Sequence, residues 1–179
     1  MTRGSMPPTE LELMANTHAA ITDEQADLIR NAKVFFVASA DPTLSDGPDG
    51  IGPVNLSPKG GTPLHVLDPS RVAWLDFGGS GNETARHAGL GGPVTLMICS
   101  FDQRDAAIVR LYGRAHAARL GESPLVDRVR DGVGEEPSMR ERQVIVVDVE
   151  RTLTSCGYSI PVLDFVRERG KEDRGRRYK

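Results

Sequence analysis

Runs of β-branched, aromatic and aliphatic residues recur along this chain in short blocks, each cut off by Gly, Pro, Asp or Asn. Blocks of that kind fit a pleated, half-buried surface better than one face of a helix. They predict strands over residues 33–39, 51–56, 64–67, 71–77, 94–101, 106–118 and 143–149. Ser57-Pro58-Lys59-Gly60-Gly61 separates the second strand from the third, because a proline cannot donate to a sheet ladder. Gly113, inside the sixth, predicts a bulge or a bend of the kind barrels use to turn corners.

Helical signals are fewer. Thr22-Asp23-Glu24-Gln25 has the spacing of a capping box, with acids in the first turn, and opens a helix that ends near residue 32. Gly78-Gly79-Ser80-Gly81 breaks the fourth strand and leads into a helix over 82–90. Ser123-Pro124-Leu125 opens a short helix, and a closing helix is predicted over 161–169. Strand and helix do not alternate regularly, which disfavours a parallel doubly wound sheet. The predicted fold class is mainly β (α+β): an antiparallel barrel of six to seven strands with peripheral helices.

Composition narrows the function classes. A chain of 179 residues suits one domain, placed at 21–170 between a flexible segment, 1–20, and a disordered charged tail, 171–179. A net charge of −3 offers no basic field for a nucleic-acid backbone. No apolar run reaches about 18 residues and the N-terminus lacks a signal-peptide core, so neither a membrane-spanning nor an exported chain is expected. Cys99, in an apolar run, and Cys156 are read as reduced thiols of a cytoplasmic protein.

Two segments could carry chemistry. In Gly78-Gly79-Ser80-Gly81-Asn82-Glu83-Thr84, glycines let the backbone approach a ligand, the first amides of the following helix lack partners, and Ser80, Asn82 and Thr84 add polar groups suited to a phosphate. The same residues also read as a structural capping box from Ser80 to Glu83. In Val54-Asn55-Leu56-Ser57-Pro58-Lys59-Gly60, Lys59 could meet a phosphate or the electron-rich edge of a ring, or be simply solvated. His18, His65, His87 and His116 show no metal-ligand spacing, and no metal is expected. Cys156 reads either as a redox thiol or as a structural one, and Tyr158 either as a stacking group or as a core plug. No Gly-x-Ser-x-Gly elbow supports a Ser-His-Asp hydrolase.

These segments, in order, resemble a known family. The segment Val54 to Gly60, then Trp74-Leu75-Asp76-Phe77 with Gly79-Ser80-Gly81-Asn82-Glu83-Thr84, then Val109-Arg110-Leu111-Tyr112-Gly113-Arg114-Ala115, is similar to the pyridoxamine-phosphate-oxidase-like flavin-binding split-barrel proteins. Thr154-Ser155-Cys156-Gly157-Tyr158 resembles one bacterial subgroup of them. The resemblance covers residues 20–170 and implies a split barrel that dimerises, with FMN at the subunit interface. It implies that Val54, Asn55, Leu56, Ser57 and Lys59 line the ring system and ribityl chain, that Trp74, Leu75 and Asp76 flank it, and that Ser80, Gly81, Asn82 and Thr84 hold the phosphate. The implied activity is flavin-dependent oxidation or reduction of a small molecule. The alternatives are a flavin-binding sensor without turnover or a reductase using the deazaflavin F420. True pyridoxamine-phosphate oxidases carry a Tyr, Arg and Ser on a helix that here reads Pro124-Leu125-Val126-Asp127-Arg128-Val129-Arg130, and an Arg-x-His where this chain has Thr154 to Tyr158, so that substrate is not implied.

Overall fold

Antiparallel pairing dominates the structure, a computed structural model that describes residues 15–79, 81–134, 139–170 and 173. Eight strands lie among the described residues: β1 (Ala15–His18), β2 (Val34–Ala40), β3 (Val54–Gly60), β4 (His65–Asp68), β5 (Arg71–Phe77), β6 (Pro93–Cys99), β7 (Ala107–Arg119) and β8 (Glu141–Cys156). The helices are α1 (Asp23–Asn31), α2 (Glu83–Gly89) and α3 (Val126–Arg130). The sheet runs in the order β3-β2-β6-β7-β8-β5-β4, with β1 added beside β8. It is a β-rich α+β fold of the split-barrel kind, with one strand more than the six to seven expected.

Alternation of side chains gives the sheet two buried layers. Phe35 and Val37 of β2, Trp74 of β5, Leu96 of β6, Leu111 of β7 and Ile145 of β8 meet in the main core, which Ile29 of α1 and Ala88 of α2 also enter. The opposite faces of β5 and β8 present Ala73, Leu75, Val144 and Val146 to a smaller core around Val129 of α3. These two strands are apolar on both sides because both sides are covered. Thr22 caps α1 in a complete capping box with Gln25, as the spacing predicts.

Four boundaries differ from the sequence reading. β3 continues through Ser57, Pro58 and Lys59, with Pro58 opposite Phe36. At the end of the strand order one row of backbone groups needs no sheet partner, so the missing proline N–H costs nothing there. β8 continues past Val149 to Cys156, because Glu150 is taken up as an extra residue opposite the Tyr112–Gly113 step. β1 lies within the segment read as flexible, annealed to that extension of β8. No helix forms over 161–169; Leu163 N–H bonds to the Phe101 carbonyl instead. A helix that short needs a surface to bury its apolar face, and Val162, Leu163, Phe165 and Val166 remain exposed. The charged tail, apart from Asp173, lies outside the described residues.

Candidate functional site

β3 ends one side of the strand order and β5 sits next to the other, yet Lys59 of β3 reaches Asp76 of β5 at 2.9 Å. This ion pair closes the seam of the barrel at one end. Beside it lies a cavity of about 460 Å³, lined by Asn55, Ser57, Lys59, Asp76, Asn82 and Arg142 among others. That volume falls in the range of about 300–1,000 Å³ usual for cofactor and small-molecule sites.

Asp76 is the hub of the polar lining. Its side chain is 5% exposed, and its carboxylate accepts from Lys59 Nζ at 2.9 Å, from Arg142 Nη2 and Nε at 2.7 and 3.1 Å, and from Gln143 Nε2 at 2.9 Å. Burial alone would raise its pKa, but the Lys59 charge and then the hydrogen bonds of Arg142, Gln143 and Lys59 outweigh that and hold it below the ordinary carboxylate value. Arg142 also donates Nη1 to the Gly81 carbonyl at 2.9 Å, and Gln143 donates to Asn82 Oδ1 at 2.8 Å. The start of β8 therefore shapes the glycine loop through two side chains.

A count of donors describes what the cavity can bind. An ammonium has three N–H donors and a guanidinium five, and neither can accept. Lys59 uses one within the protein and Arg142 three, which leaves two on each, while the Asp76 acceptors are taken. Thr62 Oγ1, on a residue 7% exposed that lines the same cavity, has no partner at all. Asn55 Nδ2 donates to Thr84 Oγ1 at 3.2 Å. The cavity is thus rich in donors and suits a ligand with several acceptor oxygens or nitrogens.

Of the residues singled out in the sequence, Asn55, Ser57, Lys59, Leu75, Asp76, Gly81, Asn82 and Thr84 line this cavity together. Val54 and Leu56 do not: alternation along β3 turns Asn55, Ser57 and Lys59 inward and leaves Val54 and Leu56 64% and 68% exposed. Trp74 does not either, because its place on β5 points it into the main core, edge-on to Phe35 with ring centroids 5.6 Å apart. Ser80 lies outside the described residues. The helix begins at Glu83 with Asn82 as its cap residue, whose side chain bonds to no helix amide, so Glu83 is not the third residue of a box that starts at Ser80. Instead the Glu83 carboxylate folds against Gly81, where any Cβ would collide with it.

Arg142 was missed. Its one sequence signal is a basic residue just before the apolar block 143–149, at a position that reads equally as a solvated strand end. Cys99 and Cys156 are both free; they sit opposite the adjacent residues Ile108 and Ala107 of β7, which places their side chains on opposite faces of the sheet. Tyr158 is 90% exposed and plugs no core. Among the described residues no group of three or more His, Cys, Asp or Glu could hold a metal ion, and no helix is long and apolar enough to cross a membrane.

No family model matches the chain. It is 32% identical over 149 residues to an Aspergillus flavus protein named pyridoxamine 5'-phosphate oxidase family protein ustO. That overlap takes in 82% of this chain and 56% of the relative, so the chain spans little more than half the length of the curated protein it matches. Among solved structures, a Lactobacillus delbrueckii protein provisionally named a pyridoxamine 5'-phosphate oxidase aligns with a TM-score of 0.54 at 19% identity, over 78% of this chain and 98% of its own. A protein from Syntrophomonas wolfei described as FMN-binding aligns with a TM-score of 0.54 at 15% identity, over 80% and 89%. At such identities these two structures show a shared fold alone.

Proposed function

Because the chain belongs to the pyridoxamine 5'-phosphate oxidase-like split-barrel family, we propose that the cavity at its barrel seam holds FMN and that the protein is a flavin-dependent oxidoreductase of small molecules. The observation that carries this reading is the donor-rich lining of a cleft of cofactor size: Lys59 and Arg142 line it beside Thr62, whose buried hydroxyl has no partner, and both oxygens of its one buried carboxylate are already engaged. A flavin ring has an edge of carbonyl oxygens and ring nitrogens that such donors match, and FMN adds a phosphate.

In this reading Lys59 and Thr62 serve the ring edge, while Arg142, Asn82 and Thr84 serve the phosphate. The Glu83 carboxylate must swing away from Gly81 for a phosphate to enter. Bound FMN would supply hydride and electron transfer, and the protein would supply position and polarity. Donors held by Asp76 need no reorganisation when negative charge grows on the ring, which is how a fixed polar site favours a charged product. Pyridoxamine phosphate is not proposed as substrate, since α3 carries neither the Tyr nor the Ser that would grip it.

The functional unit in this reading is a homodimer with the cofactor at the interface. Its support is the outward face of β3, where Val54 and Leu56 are exposed on an edge strand directly behind the residues that line the cavity. Natural proteins rarely leave an apolar edge strand unpaired.

Titration of the purified protein with FMN tests the cofactor. One FMN per chain is expected, retained through gel filtration, with Arg142→Ala raising the dissociation constant by at least about tenfold, the equivalent of one charged hydrogen bond. No retention, or equal affinity in the variant, would remove the site. Mass spectrometry of the released chromophore separates FMN from a deazaflavin, and bleaching by a nicotinamide followed by reoxidation separates an enzyme from a flavin carrier.

A further inference from the structure

Behind the glycine loop a second hollow continues outward from the cavity. It shares Ile51, Gly79, Gly81, Asn82, Glu83 and Arg142 with the cavity and adds Pro48 and Arg86. Pro48 and Ile51 belong to the connection between β2 and β3, residues 41–53, which forms the outer wall. A backbone bond from Asp41 N–H to the Pro53 carbonyl closes this loop at its base. Among the described residues Arg86 of α2 is the one side chain from outside that bonds to it, through Nη1 to Asp41 Oδ2 at 3.0 Å. Its guanidinium also lies over Gly47 so closely that a Cβ there would come within 2.8 Å of Nη2.

The orientation of Arg86 depends on its neighbour. His87 is fully buried, with Nε2 2.7 Å from Arg86 Nη2 and Nδ1 2.9 Å from Ser39 Oγ. A guanidinium can only donate, so His87 Nε2 must accept, and the ring is the neutral tautomer with its proton on Nδ1, donated to Ser39. That assignment also removes a Ser-His nucleophile pair, since the nitrogen facing Ser39 already carries the proton.

We propose that Arg86 and His87 are a positioning pair for the site, latching the 41–53 loop over the cleft while His87 is neutral and releasing it when His87 is protonated. Protonation would set an N–H donor and a positive charge against the Arg86 guanidinium, at the contact that now orients it. The charged groups acting on His87 are Arg86 and Glu83 on its own helix and Asp41 at the end of β2, and β2 otherwise offers it the neutral Ser39. Burial, followed by the Arg86 charge, lowers its pKa, with Asp41 and Glu83 opposing. The neutral form is therefore the one the fold prefers. The latch is complete above the ordinary histidine value of about 6.5 and weakens as pH falls below it, because the unlatched state takes up the proton first.

The inference rests on the FMN reading only for its effect on cofactor. The test reads the loop in ligand-free protein first. Hydrogen exchange of peptides spanning 41–53, corrected for intrinsic rates, is compared at about pH 7.5 and about pH 5.5 in the full-length wild type, His87→Gln and Gly47→Ala. In the wild type the loop should exchange at least about threefold faster in acid. His87→Gln, whose amide does not titrate, should lose that pH response. Gly47→Ala, which displaces the Arg86 tip without touching a buried group, should exchange faster already at the higher pH. With FMN as the probe, affinity should fall about tenfold or more on acidification in the wild type and by clearly less in His87→Gln, the phosphate's own titration being common to both. Equal loop exchange at the two pH values in the wild type, or the same pH response in His87→Gln, would overturn the latch. Should His87→Gln fail to fold, wild-type exchange in Gly47→Ala would overturn it instead. A loop that responds to pH in a protein that binds no FMN would sink the cofactor reading and leave the latch standing.

Discussion

Asp76 shows how one buried side chain organises a site. It takes hydrogen bonds from β3 and β8, so its charge both closes the barrel seam and aims Lys59 and Arg142. Asp76→Asn should cost about 2 kcal/mol of stability at neutral pH, the scale of hydrogen bonds to a charged group, discounted because Lys59 and Arg142 can turn to solvent. Chemical denaturation would measure it. The folded-state pKa is depressed, so the contribution is complete above the unfolded carboxylate value of about 3.9 and is lost as pH falls through the lower folded value. The gap between wild type and variant should close in acid; a gap that stays constant would show that packing rather than charge is what Asp76 provides. The strand position of Asp76 was legible in the sequence, and so was Lys59 as a candidate cation, although the strand was expected to stop before it. Their pairing was not, because it joins strands that are not hydrogen-bonded to each other.

At the scale of elements, the long β7–β8 ladder carries the sheet from the cores to the site. Its register shifts at the Tyr112–Gly113 step, where a Cβ on Gly113 would collide with the Asp148 carbonyl oxygen. Backbone cannot yield as a side-chain tip can, so Gly113→Ala should destabilise the protein by about 1–3 kcal/mol, the usual cost of overpacking. A denaturation midpoint unchanged from wild type would show that the strands can slide to absorb a methyl group. The sequence reading placed the irregularity at Gly113 correctly, because an isolated glycine within an apolar block has few other uses. The second half of β8 was missed because Glu150 and Arg151 end the apolar run, and only pairing to β7 and β1 keeps that stretch extended. The closing helix failed for the converse reason: its apolar spacing is helical, but among the described residues its apolar side chains stay exposed.

For the whole molecule the outward face of β3 sets the expectation of a dimer. Light scattering should report twice the mass of one chain, and Leu56→Asp, placing a charge on that face, should shift it toward one chain and weaken FMN retention together. A wild-type monomer that holds FMN would separate the cofactor site from any subunit interface. What the sequence by itself determined was strand character, the antiparallel class, the α1 capping box and two of the segments that line the cavity, since β-branched blocks, Gly and Pro breaks and capping spacings act over a few residues. The tertiary structure decided which side of each strand faces inward. Period-two alternation assigns side chains to two faces, but only packing says which face is the core, so Trp74 went to the interior and Val54 and Leu56 went outward. It also decided the partners of Asp76, Lys59 across the seam and Arg142 and Gln143 on the neighbouring strand, and those of Arg86 and His87, which are Asp41 and Ser39. Those contacts join residues far apart in the chain, and the attraction between them exists only once the sheet has closed and water has been excluded.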